Sequence, residues 1–137
     1  MLVTCWDILT HTNKLHIEAI YQQGGQTDEL LGAVQVAKQD DTQLLLIETG
    51  LWQHQKRKAY NHTLWQRTPE GISLSHQRRE QSVLLCHFTA DNQWRDTHIC
   101  GDDHYHGQLT HTKSQVIVTW QIEGKNKKGR LVQRYFA

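Results

Sequence analysis

The strongest constraint on the fold is a two-residue hydrophobic alternation that recurs along the chain. Side chains at every second position share one face of a β-strand. The alternation is clearest at positions 15–19, 72–76 and 116–122. In the last of these, Val116, Val118, Trp120 and Ile122 form one apolar face. The pattern predicts strands with one face turned toward a core.

Further segments predict strands by composition, and turn residues separate them. Segments 43–51, 57–67 and 82–90 are rich in residues that favour strands. Between the strands lie short polar or glycine-containing stretches that favour turns. These are 24–25, 40–41, 68–71, 91–92 and 124–129.

Regular spacing of about eight to ten short strands is typical of an antiparallel barrel or a sandwich. The segment 131–137 predicts a final strand, which in a barrel pairs with a strand from the start. One short helix is expected, at 6–11 or at 27–31, where Thr27 and Asp28 offer cap residues. No linker or repeat divides the chain, so we expect an all-β barrel in a single domain, 1–137.

Composition excludes several classes of partner. Lys and Arg number 15 and Asp and Glu number 14, so the net charge of +1 gives no general attraction to nucleic acid or membrane. The basic runs 56–58 and 125–130 are short and are interpreted as solvated turns. The longest apolar run, 44–47, cannot span a bilayer, and the first residues lack a signal-peptide pattern. Three cysteines favour a reducing, cytoplasmic setting over a disulfide framework.

The densest group of chemically active residues lies at 98–106, with three histidines, two aspartates, a cysteine and a tyrosine. His104 and His106 have a spacing that lets both rings reach one metal ion. Strand parity argues against this, because Tyr105 and Leu109 are the better inward pair and the two histidines then face solvent. We therefore expect no metal and no cofactor.

Cys100 and Asp103 are the other candidates in this segment. Cys100 has His98 two residues away, but the neighbouring aspartates raise a thiol pKa, so a buried, inert cysteine beside a bulge at Gly101 is favoured over a nucleophile. Asp103 shares the inward parity of Tyr105. A buried carboxylate needs a partner, so we expect Asp103 to accept a hydrogen bond from at least one of His98, Lys127, Arg134 or a tyrosine or tryptophan donor. Ligand contact and a purely structural network are both open for it.

The second half of the chain resembles an uncharacterised bacterial family of calycin-like domains of unknown function. The resemblance is carried by a His-x-Cys-x-x-Asp-x-Tyr pattern at 98–105, a tryptophan at Trp120, a Gly-x-x-Lys pattern at 124–127 and a final tyrosine at Tyr135. The chain departs from the family at Lys125, where the family has proline. The resemblance implies a small lipocalin-like barrel with an internal cavity, and it implies no reaction.

Binding of a small molecule inside the barrel is the function that we expect. The alternatives are a small enzyme that uses the same cavity for acid–base chemistry through Asp103 or His98, a haem-binding barrel, and a non-catalytic protein-interaction module. The expected ligand-binding residues combine aromatic walls with polar groups that orient the ligand. They are His98, Asp103, Tyr105, Trp120, Lys127, Tyr60, Trp65 and Glu48.

Overall fold

A computed structural model describes residues 1–125 and 127–137, apart from the side chain of Gln23. Asn126, which the sequence places in the turn 124–129, lies outside the described residues. In the described residues, one α-helix, α1 (Leu2–His11), precedes ten strands. The strands are β1 (Lys14–Tyr21), β2 (Thr27–Asp40), β3 (Gln43–Trp52), β4 (Arg57–Arg67), β5 (Gly71–Arg78), β6 (Gln81–Thr89), β7 (Arg95–Cys100), β8 (Asp103–His111), β9 (Gln115–Glu123) and β10 (Lys128–Phe136).

All ten strands belong to one antiparallel sheet, in the order β6-β5-β4-β3-β2-β1-β10-β9-β8-β7. Every neighbouring pair except β1 and β10 is also consecutive along the chain. The β1–β10 pairing runs from Lys14 opposite Phe136 to Tyr21 opposite Gly129. The expectation that the final strand pairs with a strand from the start is therefore confirmed.

The barrel is nearly closed, because the two edge strands β6 and β7 lie side by side without forming a regular ladder. The backbone N–H of Trp94 donates to the carbonyl of Thr89 at 2.7 Å. The backbone N–H of His87 donates to a carboxylate oxygen of Asp96 at 2.8 Å. We call this contact the seam. It holds the two edges together near the turn that joins β6 to β7.

The core fills the end of the barrel on which α1 packs. The helix buries Cys5, Trp6 and Leu9 against the strands. Arg67, at the end of β4, places its guanidinium 5.3 Å from the centre of the Trp6 ring, an arrangement that favours a cation–π attraction. Further inward is a fully buried apolar layer. Its members include Leu44, Leu46, Trp65, Ile72, Phe88, Leu109, Val116 and Val118.

The all-β barrel with one short helix confirms the predicted fold class, with one local correction. The segment 27–31 begins β2 and is not a helix. Its backbone pairs with β1 on one side and β3 on the other. Asp28 and Leu30 point inward in strand alternation, so sheet pairing overrides the local capping signal. Among the described residues, no helix has the length and apolar character needed to cross a bilayer.

Candidate functional site

A cavity of about 290 Å³ lies at the end of the barrel opposite α1. Its walls come from β4, β5, β6, β7, β8, β9 and β10, and its rim lies where β5 ends and β7 turns into β8. Apolar side chains form part of the wall and polar groups form the rim and floor. The lining residues are Asn61, Thr63, Leu74, His76, Arg78, Leu85, His98, Cys100, Tyr105, Trp120, Leu131, Gln133 and Tyr135.

A second, smaller cavity of about 230 Å³ adjoins the first. The two share Asn61 and Gln133, whose side chains therefore lie between them. Glu48 from β3 lines the smaller cavity together with apolar residues of β1 and β2. The interior thus offers two adjoining spaces, each below the several hundred Å³ typical of drug-sized pockets. Together they suit a ligand of small size.

Glu48 is the centre of a buried hydrogen-bond network beneath both cavities. Its side chain is 4% exposed. The hydroxyl of Thr63 donates to its carboxyl at 2.8 Å, and the hydroxyl of Tyr135 donates at 2.9 Å. The indole N–H of Trp65 donates to the Thr63 hydroxyl at 3.1 Å. The Trp65 and Tyr135 rings meet edge to face, with centroids 5.6 Å apart, which holds these donors in place.

Burial raises the pKa of Glu48 to about 7, although hydrogen bonds from Thr63, Tyr135 and Asn61 oppose the rise. The same burial, with the Glu48 charge and hydrogen bond next in effect, raises the pKa of Tyr135 well above its usual value. Near neutral pH the Glu48 carboxyl therefore exists in both protonation states, while the Tyr135 hydroxyl keeps its proton. Such a carboxyl can accept a hydrogen bond from a ligand or exchange a proton with it.

The rim carries basic side chains in two hydrogen-bonded pairs. The Nε of Arg78 donates to Nδ1 of His76 at 3.3 Å. The Nζ of Lys127 donates to the Tyr105 hydroxyl at 3.3 Å and lies 5.6 Å from the centre of that ring. Burial lowers the pKa of His76, and the charges of Arg78 and His62 lower it further. His76 is therefore neutral at pH 7, and Arg78 and Lys127 supply the positive charge.

Three of the predicted ligand-binding residues, His98, Tyr105 and Trp120, line the larger cavity. The His98 and Tyr105 rings lie side by side, with centroids 6.3 Å apart. The indole N–H of Trp120 donates to the side-chain carbonyl of Gln133 at 3.1 Å, which fixes both side chains in the wall. The structure thus brings together the residues that the sequence grouped by alternation in β8 and β9.

Three other predicted residues lie near the cavities in different roles. Glu48 lines the smaller one. Trp65 lies behind the Glu48 network, fully buried in the core. Lys127 is exposed and reaches the larger cavity through Tyr105.

Tyr60 is a correction to the sequence prediction. It is 70% exposed and lies on the outside of β4, where its hydroxyl bonds to Nε2 of His62 at 2.6 Å. Strand parity explains the difference, because the inward residues of β4 are Asn61, Thr63 and Trp65. Tyr60 therefore does not line the cavity.

Asp103 is a second correction. It is half-buried, and among the described residues no side chain donates a hydrogen bond to its carboxylate, so the predicted bond from His98, Lys127 or Arg134 is absent there. As the first residue of β8, Asp103 lies beyond the cavity, with its carboxylate against Gly124. A side chain at position 124 would collide with it. The glycine therefore makes room for Asp103 at the edge of the sheet.

The histidines of β8 point outward, in the way that parity predicted. His104 is exposed and His106 is partly exposed, and Nδ1 of His106 contacts the Thr97 hydroxyl at 2.9 Å on the outer face. In the part of the chain that the structure describes, no three His, Cys, Asp or Glu side chains come close enough to hold a metal ion. Cys100 is exposed, so the interpretation of a buried cysteine was wrong. Gly101, with φ +61°, lies in the two-residue turn between Cys100 and Asp103, where a bulge was expected.

Several site residues were missed in the sequence. Asn61 and Thr63 share the inward parity of Trp65 on β4. Gln133 shares that of Tyr135 on β10. These residues do follow the two-residue alternation. In the sequence, however, a polar residue that faces inward cannot be distinguished from one that faces solvent until the register of the strand is known. The bulge between Leu74 and Ser75 likewise hides which residues of β6 face inward.

Comparison with known proteins adds family and fold. The model of a family described as "Family of unknown function (DUF6314)" matches residues 11–137. No curated protein matches the chain. Among solved structures, the chain is similar to a de novo designed fluorescence-activating β-barrel, with 10% identity over 95% of this chain and 96% of that one and a TM-score of 0.52. It is also similar to EF1p2_mFAP2b bound to DFHBI, with 12% identity over 100% of both chains and a TM-score of 0.55. At these identities the likeness shows a shared barrel fold.

Proposed function

The chain belongs to DUF6314, a family of unknown function. On the basis of the cavity, we propose that this protein binds a small molecule inside its barrel. The observation that carries the proposal is a preformed space beside a buried polar network. Glu48, Thr63 and Tyr135 are fixed by hydrogen bonds beneath a wall of apolar and aromatic side chains. Apolar walls with a few positioned polar groups are the usual makeup of ligand pockets.

The barrel comparison supports the same proposal by analogy. A barrel of similar architecture, EF1p2_mFAP2b, is described as bound to DFHBI. A sheet of this size closed on itself has room for one small ligand when part of its interior is not filled by side chains. Here α1 and the core fill one end, and the other end is left open. We also propose that the barrel is calycin-like and that the protein works in a reducing cytoplasm.

Acid–base catalysis in the same cavity is the second candidate, and Glu48 is the residue that favours it. Its pKa of about 7 suits a group that gives and takes a proton at neutral pH. The role first considered for Asp103 passes to Glu48, because Asp103 lies beyond the cavity, while His98 lines the larger cavity. Catalysis requires a substrate with its reacting atom beside this carboxyl, so binding comes first in either case.

A cavity-filling variant tests the proposal. Leu85 lines the larger cavity, whereas Leu84 on the same strand is 56% exposed. A library of small aromatic and aliphatic fragments, screened by ligand-observed NMR, is expected to give hits with the wild-type protein. Leu85→Trp fills the space and is expected to abolish them, while Leu84→Trp adds the same side chain outside and is expected to keep them. No hits with the wild type, or equal hits with Leu85→Trp, would contradict binding in this cavity.

A further inference from the structure

Among the described residues, one formally charged side chain, that of Arg78, lines the larger cavity. Two carboxylates, Asp102 and Asp103, follow β7 at the rim, but neither lines the cavity. Its lining includes one arginine and two histidines, and none of its lining residues is a carboxylate. Lys127 adds a second positive charge through its contact with Tyr105. The nearest carboxyl below the floor, Glu48, lines the adjoining cavity and is held by hydroxyl groups. A ligand in the larger cavity therefore meets positive charge at the rim.

The hydrogen-bonding groups of the rim are also arranged as donors. Because Nδ1 of His76 accepts from Arg78, the neutral ring of His76 carries its hydrogen on Nε2 and can donate from there. The Tyr105 hydroxyl accepts from Lys127, so its own hydrogen is available. In the described residues, the two terminal nitrogens of Arg78 have no acceptor. Arg78, His76 and Tyr105 thus offer several donors around the cavity.

The wall below the rim is apolar. Leu74, Leu85 and Leu131 come from three separate strands, and Trp120 adds a flat aromatic surface. Leu85 and Leu131 are only partly buried, whereas Leu74 and Trp120 are buried, and contact with an apolar ligand removes the remaining exposed apolar area from water. The cavity thus combines an apolar body of about 290 Å³ with a positively charged, donor-rich rim.

We propose that the ligand is a small organic anion with an apolar body, held with its oxyanion at Arg78 and His76. This inference rests on the proposed function, and it names the class of ligand. Arginine is suited to the role because its planar fork matches a carboxylate with two parallel hydrogen bonds. Trp120 and the leucines then hold the apolar body. Glu48, which is protonated in part at neutral pH, does not repel an anion at the rim as a full charge would.

Three naphthalene probes of nearly equal shape test the class of ligand. They are 2-naphthoate, the neutral 2-naphthamide and the cationic 2-naphthylmethylammonium. Titration calorimetry at about pH 6 keeps the first anionic and the last cationic. For the wild type we expect 2-naphthoate to bind about tenfold more tightly than 2-naphthamide, with the ammonium compound weakest.

Variants of two adjacent arginines provide the matched control. Arg78 lines the cavity, and Arg79 lies exposed in the turn that follows it. Arg78→Gln is expected to lower the affinity for 2-naphthoate about tenfold and to leave that for 2-naphthamide unchanged. Arg78→Lys, which keeps the charge but loses the fork, is expected to lie between the two. Arg79→Gln is expected to behave as the wild type.

The outcomes separate this inference from the proposed function. Equal affinity for the acid and the amide, or tightest binding of the ammonium compound, overturns the anion class and leaves binding in the cavity intact. If Arg79→Gln loses the preference for 2-naphthoate and Arg78→Gln keeps it, the assignment of Arg78 as the anion-binding residue is overturned. If none of the three probes binds while the fragment screen gives hits that Leu85→Trp removes, the anion class fails alone. If both experiments give no binding, both proposals fail.

Discussion

Glu48 is buried among hydroxyl groups and has no arginine or lysine beside it in the described part of the chain. Its hydrogen-bond donors are neutral: the hydroxyls of Thr63 and Tyr135 and the side chain of Asn61. An ionised carboxylate in such a place is costly, because neutral donors replace only part of the lost hydration. Burial therefore raises the pKa of this carboxyl to about 7. This makes one residue sensitive to pH over the physiological range.

Because of Glu48, the free energy of unfolding of the wild type is expected to fall as pH rises. The pKa of Glu48 is raised from 4.5 to about 7 in the folded protein. Its favourable contribution is thus complete below pH 4.5 and is lost as pH rises through about 7. The full loss corresponds to about 3 kcal/mol. Glu48→Gln removes the titrating group, so urea unfolding at pH 5 and pH 8 should show a smaller decline than in the wild type.

Exposed Glu70 provides the control for this measurement. Glu70→Gln removes the same kind of group without changing the buried network, and its pH profile should follow the wild type. A Glu48→Gln profile parallel to the wild type from pH 5 to pH 8 would show that Glu48 does not titrate in this range.

At the scale of elements, Asp28 ties the start of β2 to the turn between β3 and β4. Its carboxylate accepts the backbone N–H groups of Glu29 and His54 at 2.8 and 2.7 Å, and that of Gln55 at 3.4 Å. Burial acts to raise the pKa of Asp28, but the hydrogen bonds from His54, Glu29 and Gln55 outweigh it and the pKa is lowered. The turn is therefore held by a carboxylate from another strand.

Asp28→Asn is expected to loosen this turn, because an amide has a single acceptor oxygen for the three N–H groups. Amide hydrogen exchange at Glu29, His54 and Gln55 should become faster. Since the folded pKa is lowered, the stability from Asp28 is present above its usual pKa of 3.8 and is lost as pH falls through the folded value. The difference in unfolding free energy between wild type and variant should therefore shrink in acid.

Asp41→Asn is the matched control, because Asp41 is exposed and its ion pair is with Lys38. It should leave the exchange rates at positions 53–55 unchanged. Equal exchange in Asp28→Asn and the wild type would mean that the turn is held by its backbone alone.

The sequence predicted the elements of this protein better than its site. Alternation identified β1, β5 and β9 with the correct inward faces, because apolar side chains at every second position leave one choice of face. It failed at 27–31, where Thr27 and Asp28 resemble a helix cap, and the contacts that decide the matter come from β1 and from the turn after β3. It failed for Tyr60, an aromatic residue on the solvent side of β4.

The site depends on register between strands that are far apart in the sequence. Glu48 on β3 and Tyr135 on β10 are 87 residues apart and join in one hydrogen bond. Asp103 had the correct parity, but parity does not say where along the barrel axis a residue lies. The cavity begins at Tyr105, one inward position further in. Such distances along the axis follow only from the pairing of all the strands.

At the scale of the whole molecule, closure of the barrel depends on the seam between β6 and β7. Asp96 accepts the backbone N–H groups of His87 and Thr97, both at 2.8 Å. The buried thiol of Cys86 points to the Asp96 carbonyl at 3.6 Å. Burial raises the pKa of Cys86 to about 12, and the Asp96 charge adds to the rise, so this thiol remains protonated. At the seam, side-chain hydrogen bonds hold two neighbouring strands together, whereas backbone hydrogen bonds do so between the other strands of the sheet.

Asp96→Ala is expected to open the seam. The amide of His87 loses its acceptor, so its hydrogen exchange should become faster, and the protein should lose about 1–2 kcal/mol of unfolding free energy. Asp91→Ala, in the exposed turn between the same strands, should change neither quantity. An unchanged exchange rate at His87 in Asp96→Ala would show that the seam is closed by packing instead.

The pairing of β1 with β10 also sets an order of events during synthesis. From β2 to β6 and from β8 to β10, each new strand finds its partner in the strand made just before it. The edge of β1 that pairs with β10 stays unpaired until β10 has left the ribosome, because Leu15 pairs with Tyr135. Throughout that interval β1 presents an unpaired edge, the kind of surface on which chains associate wrongly. Lys14, His16 and Glu18 alternate along β1 on its solvent side, and charged side chains of this kind discourage a second chain from adding there before β10 arrives.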